Sequence, residues 1–207
     1  MDSILRNKLL LVTYAMTFLY ALHYAIPLYA TSSYLHKYFS ASIVSAIYVL
    51  GSMFALIISL SVSKSIKKFH TYQFAFFITI LEIVIVLLFG NTENRYLLPI
   101  YFIIHFVLQI LLYISLNVFI ESFSKHTNTG SIRGLFLAIL SLGILISPLF
   151  GGMLLAHFSF SIFIPLLPLS SSPIFFFYIN TSAILRNQHI TLLMFLRLQE
   201  KYFEIKI

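Results

Sequence analysis

The sequence predicts an all-α integral membrane protein of six transmembrane helices, and three observations carry that reading. Hydrophobic residues make up 60% of the 207 positions and charged residues only 9%, against roughly 45–50% and 25% in soluble domains. With a mean hydropathy of +0.97, too few polar side chains exist to cover a folded surface in water, and the apolar content also excludes disorder. Charge-poor stretches of about 20 residues, the length of one bilayer crossing, recur along the chain. The 13 Lys and Arg residues fall between those stretches in an alternating pattern.

Taken in order, the charge-poor stretches are 9–30, 41–62, 72–90, 96–120, 134–157 and 158–180. The first follows a short basic segment with Arg6 and Lys8, but its apolar run is longer than the roughly 7–15 residues of a signal peptide, so it reads as a retained helix. The breaks between spans carry turn and solvent residues: Lys64 to Lys68, Asn91 to Arg95 and Lys125 to Gly130. Residues 1–180 therefore read as a six-helix transmembrane bundle. Pro165, Pro168 and Pro173 interrupt the sixth span, which predicts either a broken helix covered by protein or a segment whose reading frame has drifted from its ancestor. Residues 181–207 read as a cytoplasmic, basic amphipathic tail lying on the inner membrane surface, with Leu192, Leu193, Phe195 and Leu196 opposed to Arg197, Glu200 and Lys201.

The positive charges give an independent test of the span count. Arg6, Lys8, Lys64, Lys67, Lys68, Lys125, Arg133, Arg186, Arg197, Lys201 and Lys206 fall on one side, and only Lys37 and Arg95 on the other, a split of 11 to 2. The positive-inside rule then places both termini in the cytoplasm of a multi-pass protein of the cell (plasma) membrane. The net charge of +7 is explained by this topology, so no nucleic acid is expected as a partner. With no Cys, disulfides, thiolate metal sites and cysteine nucleophiles are excluded.

Two segments carry recognisable patterns. The fifth span has Gly134, Gly143, Ser147, Pro148, Gly151 and Gly152, that is, G-x8-G-x3-S-P-x2-G-G. The end of the second span has Ser59, Ser63, Lys64, Lys67 and Lys68. At these residues the chain resembles the major facilitator superfamily of secondary transporters. The antiporter branch of that family has G-x8-G-x3-G-P-x2-G-G on its fifth helix, so five of six positions match, with Ser147 in place of a glycine. The basic segment resembles the family's loop signature G-x3-D-R-x-G-R-K in its charges, while Ser59, Ser63 and Ile66 replace glycine, aspartate and glycine. Glu121 and Arg133 resemble the family's charged pair on the cytoplasmic face. The resemblance implies an N-terminal half of such a transporter, built as two inverted three-helix repeats. It would need a second half, either as a homodimer or as a separate chain, to translocate a small-molecule substrate.

Physical reasons stand beside the resemblance. Helices in lipid associate through close packing, and Gly143, Ser147 and Gly151 at four-residue spacing make a smooth stripe. Pro148 removes a backbone hydrogen bond within it. The basic cluster reads first as a topology anchor on anionic lipid and only second as a conformational latch.

Polar residues within the spans are the candidate site. Thr13, Thr17, Tyr20 and Tyr24 share one face of the first helix, and Tyr101, His105 and Gln109 share one face of the fourth. The resemblance makes these two faces the substrate cavity; the alternative is that they satisfy one another as interhelical glue. Glu82 lies about ten residues into the third span, where an ionised carboxylate must be paired or face a wet cavity. It is the candidate coupling residue, with His105 as a partner at similar depth, although the family's third helix is usually peripheral. The sequence places His23 at the outer interface. The buried Arg that proton-driven antiporters carry on the fourth helix is absent. No hydrolase, zinc or nucleotide motif occurs, so neither an enzyme nor a cofactor nor a metal is expected. The rivals to a transporter are a non-transporting membrane protein, including the inert remnant of a truncated gene, and an intramembrane enzyme lacking its catalytic pair.

Overall fold

The computed structural model describes residues 3–69, 71–123 and 129–157, which form five helices. These are α1 (Ser3–His36), α2 (Ala41–Phe69), α3 (Thr71–Asn91), α4 (Leu97–Phe123) and α5 (Thr129–His157). No strand occurs among the described residues. Each helix contains a stretch long and apolar enough to cross a membrane: Asn7–His36, Ala41–Val62, Gln73–Asn91, Leu97–Ser122 and Thr129–Met153. The expected sixth span at 158–180 and the tail at 181–207 lie outside the described residues.

The helices exceed the expected spans at several ends. α1 continues from residue 30 to His36, so at 1.5 Å per residue it is about 50 Å long, well beyond the roughly 30 Å hydrocarbon core. α2 runs on to Phe69, which corrects the reading of the basic motif as a loop. Ser59, Ser63, Lys64, Lys67 and Lys68 stand on its last turns, with Ser59 Oγ donating to the Ala55 carbonyl at 2.6 Å. Straight-chain Lys costs a helix little, and lysines near the C-terminus favour the negative end of its dipole, so nothing in this segment stops the helix. α5 begins at Thr129, which puts Arg133 in its second turn.

The connections near Lys37 and Arg95 are tight and locally satisfied. Tyr38 and Phe39 amides donate to the Leu35 carbonyl, both at 3.0 Å, closing α1. The Ser40 carbonyl accepts from Val44 at 3.0 Å to open α2. Asn94 caps α4: its side-chain oxygen accepts from the Tyr96 amide at 2.9 Å and its carbonyl from Leu98 at 3.0 Å.

Two long-range bonds fix which helix ends lie together. Tyr34 Oη donates to the Thr92 carbonyl at 3.4 Å, joining the end of α1 to the α3–α4 connection. Tyr14 Oη donates to the Ile132 carbonyl at 3.2 Å, joining the starts of α1 and α5. Lys37 and Arg95 thus share one end of the bundle, and Lys8 and Arg133 the other. Glu121 is at that second end, where it meets Arg133 at 3.5 Å with both side chains about half exposed. An exposed pair of this length adds little stability.

α4 packs against all four other helices, and α1 packs most extensively on α5. Two apolar clusters fill the interior. One contains Leu9, Met16, Phe74, Ile78, Leu111, Leu116 and Phe136. The other, toward the Lys37–Arg95 end, contains Ile26, Leu35, Val44, Val86, Leu98 and Phe102. Outward faces are also apolar, as with Leu60 on α2 and Leu145 and Leu149 on α5, which suits acyl chains and not water.

Among the glycines of α5, Gly143 sits tightest against α1. A Cβ on Gly143 would stand 2.5 Å from Ala21 Cβ and 3.3 Å from the Phe18 carbonyl oxygen. One on Gly151 would find Ile26 at an ordinary 3.8 Å, and Gly134 and Gly152 have nothing within 4 Å among the described residues. Ser147 is fully buried and gives its hydroxyl to the Gly143 carbonyl at 2.6 Å, so it fits the stripe without presenting an unpaired donor. We expect Gly143→Ala to lower the detergent midpoint temperature by several degrees. Gly151→Ala and Leu145→Ala should leave it nearly unchanged, and equal loss at all three would refute the close approach at Gly143.

Candidate functional site

Between the two apolar clusters lies a polar layer contributed by three helices. On α1, His23 falls between Tyr20 and Ile26. On α3, Glu82 falls between Ile78 and Ile85. On α4, His105 and Gln109 flank Val107. α1 and α4 change from one cluster to the other at these polar residues, whereas α3 changes one turn beyond Glu82, between Ile85 and Val86; all four side chains meet.

Glu82 is fully buried, and one oxygen, Oε1, receives every contact. His105 Nδ1 approaches it at 2.6 Å, Gln109 Nε2 donates to it at 2.7 Å, and His23 Nε2 approaches it at 3.2 Å. His23 and His105 stack edge to face with ring centroids 6.5 Å apart. Each ring turns a nitrogen toward the carboxylate, and a neutral imidazole can donate there if that nitrogen bears the proton. Glu82 Oε2 and Gln109 Oε1 are buried acceptors with no hydrogen-bond partner among the described residues.

The predicted site residues separate into three groups. Glu82, His105 and Gln109 are brought together. Thr13 and Thr17 are fully buried but bond their own helix, to Leu9 O at 2.7 Å and to Thr13 O at 2.8 Å. Tyr20 crosses to the Gln109 carbonyl at 3.0 Å, a tie between α1 and α4. Tyr101 is half-buried against both apolar clusters, and Tyr24 stacks on Tyr20 with centroids 6.1 Å apart.

His23 is a correction. The sequence placed it at the interface, but it is fully buried against Glu82. The cause is the length of α1: His36 rather than residue 30 ends the helix, so His23 lies 36 − 23 = 13 residues from that end. That is too deep for an interfacial side chain. The acid of the third helix faces α1 and α4.

A small cavity of about 20 Å³ adjoins the cluster, lined by Tyr24, Leu28, Thr31, Tyr48, Phe102, His105, Phe106 and Gln109. Of these, the sequence had singled out Tyr24, His105 and Gln109; the aromatic residues of α2 and α4 carried no distinguishing spacing. Among the described residues no group of three or more His, Cys, Asp or Glu is arranged to hold a metal ion. No protein-family model matches the chain, and no curated protein matches it.

The cluster should hold the three helices together measurably. In a cycle of Glu82→Leu and His105→Leu, unfolding in mild detergent should give a coupling of about 1–2 kcal/mol, near the upper end for interhelical hydrogen bonds in membranes. A coupling near zero would mean that the contact contributes nothing to the fold.

Proposed function

We propose that the chain is a secondary transporter of a small solute, with the Glu82 cluster as its proton-coupling element. In this reading it is a six-helix, multi-pass unit of the plasma membrane with cytoplasmic termini, resembling the N-terminal half of a major facilitator transporter with its two inverted three-helix repeats. It works with a second six-helix half, supplied by another copy or by a separate polypeptide, because one bundle provides one wall of a translocation path. Its partners are the lipid bilayer and the solute, and its action involves no chemical conversion.

The observation that carries the proposal is the burial of Glu82 among His23, His105 and Gln109 at mid-bundle. An ionisable group deep in a set of apolar helices is costly, and membrane proteins retain such groups mainly on ion, proton and substrate paths. Two imidazoles sharing one carboxylate can accept and return a proton over short distances. Glu82→Gln keeps the shape and most of the hydrogen bonding but cannot ionise.

In vesicles from cells expressing the chain with its second half, solute-driven proton movement should vanish in Glu82→Gln while insertion and abundance stay at the parent level. Unchanged proton movement at every pH would end the coupling reading. Abundance falling in both Glu82→Gln and His105→Ala would favour the rival, a non-transporting protein in which the cluster is only a staple.

The orientation has its own test. Reporter fusions after Lys68 and after Arg95 should report opposite compartments, with Lys68 cytoplasmic. The same compartment for both would overturn the alternating topology.

A further inference from the structure

We infer that the cavity beside Glu82 binds a small ammonium cation, ammonium itself or the head of a primary alkylamine. The inference deepens the transport reading by naming a substrate class, and it rests on that reading only for the step from binding to translocation.

The argument starts from what the carboxylate does to its neighbours. Glu82 Oε1 draws the Nε2 hydrogen of Gln109 toward itself at 2.7 Å, so the amide's other end, Oε1, is left as a buried acceptor without a partner among the described residues. Gln109 is only 2% exposed and lines the cavity. His105 likewise turns Nδ1 to Glu82 at 2.6 Å; with the proton there, its Nε2 carries a lone pair. Thr31, also on the cavity wall, gives its hydroxyl hydrogen to the Pro27 carbonyl at 2.7 Å and retains only acceptor capacity. His105, with its proton on Nδ1, and Thr31 thus have their side-chain donors committed elsewhere, and Gln109 commits one of its two amide hydrogens to Glu82. The hydroxyls of Tyr24 and Tyr48 remain adaptable.

A cavity whose fixed polar groups are acceptors suits a ligand that only donates. An anion would face lone pairs, and a buried carboxylate lies one residue behind them. An ammonium group supplies up to four N–H donors and a positive charge. The rest of the lining favours the same ligand: Tyr24, Tyr48, Phe102 and Phe106 contribute four aromatic rings. Tyr48 packs on Phe102 with centroids 4.7 Å apart, and Phe102 on Phe106 at 6.0 Å. Aromatic faces attract cations, ammonium groups above all. The volume of about 20 Å³ holds a particle of roughly one or two heavy atoms, the size of ammonium or methylammonium.

The test is equilibrium binding of radiolabelled methylammonium to the purified full-length chain in lipid nanodiscs. Saturable binding is expected, displaced by ammonium but at least tenfold less well by potassium and tetramethylammonium, which carry no N–H. Methanol and formate should not compete. Gln109→Met and Thr31→Val each remove one cavity acceptor at nearly constant volume. They should weaken binding by about tenfold and a few-fold respectively. Thr31→Val leaves the Glu82 cluster untouched, so it stays informative if Gln109→Met folds poorly.

Absence of saturable binding by the parent, equal displacement by potassium, or parental affinity in both variants would each overturn the assignment. Methylammonium uptake into vesicles separates this from the transport reading. Binding without uptake supports the cavity assignment and counts against translocation. Proton-coupled uptake of another solute, with no methylammonium binding, overturns the assignment and leaves transport standing.

Discussion

A carboxylate placed among apolar helices has to find its hydrogen bonds inside the protein, and the rest of this bundle is arranged around that requirement. Glu82 is fully buried, and among the described residues its own helix gives it no side-chain donor. Its donors come from α1 and α4: His23 at 3.2 Å, His105 at 2.6 Å and Gln109 at 2.7 Å. Three helices must therefore keep one relative depth and rotation. Leucine and isoleucine packing alone would not enforce this, because apolar surfaces slide past one another in lipid at little cost. The two apolar clusters above and below the polar layer take up the area, and the polar layer fixes the register.

The requirement explains why α1 must also approach α5 closely. α1 carries His23 on one face and Ala21 on another, and it is held against α5 at Gly143, where even a methyl group would collide with Ala21. Pressing the two backbones together at this point restricts rotation of α1, and so restricts the direction in which His23 points. Small residues on α5 and a charged residue on α3 are in this sense parts of one constraint, although the hydrogen bonds to Glu82 come from α1 and α4.

Much of this was legible in the sequence. The five described helices followed from apolar length and intervening charge, since the bilayer leaves few alternatives to a helix. The meeting of Glu82 with His105 followed from comparable depth. What was not legible has physical causes. Helix ends were misjudged at residue 30 of α1 and at the basic end of α2, because hydropathy marks where a helix leaves lipid and not where it stops. Ser, Tyr and Lys continue a helix into water without penalty enough to end it. His23 was misplaced by that same error. The hydroxyl stripe of α1 was visible, but its use was not. Thr13 and Thr17 return their hydrogens to their own helix, an option open to any buried Thr and invisible to spacing.

The way the cluster is satisfied bears on whether it serves only to hold helices together. A staple is strongest when every buried polar atom is paired, because an unmet acceptor costs about 1–3 kcal/mol. Here three approaches crowd onto Oε1, while Glu82 Oε2 and Gln109 Oε1 remain unpartnered among the described residues. Rotating the carboxylate or adding a donor would have removed that cost. An acid that keeps spare acceptors beside a small aromatic cavity is poorly economised as a staple and well disposed to receive a donor that comes and goes.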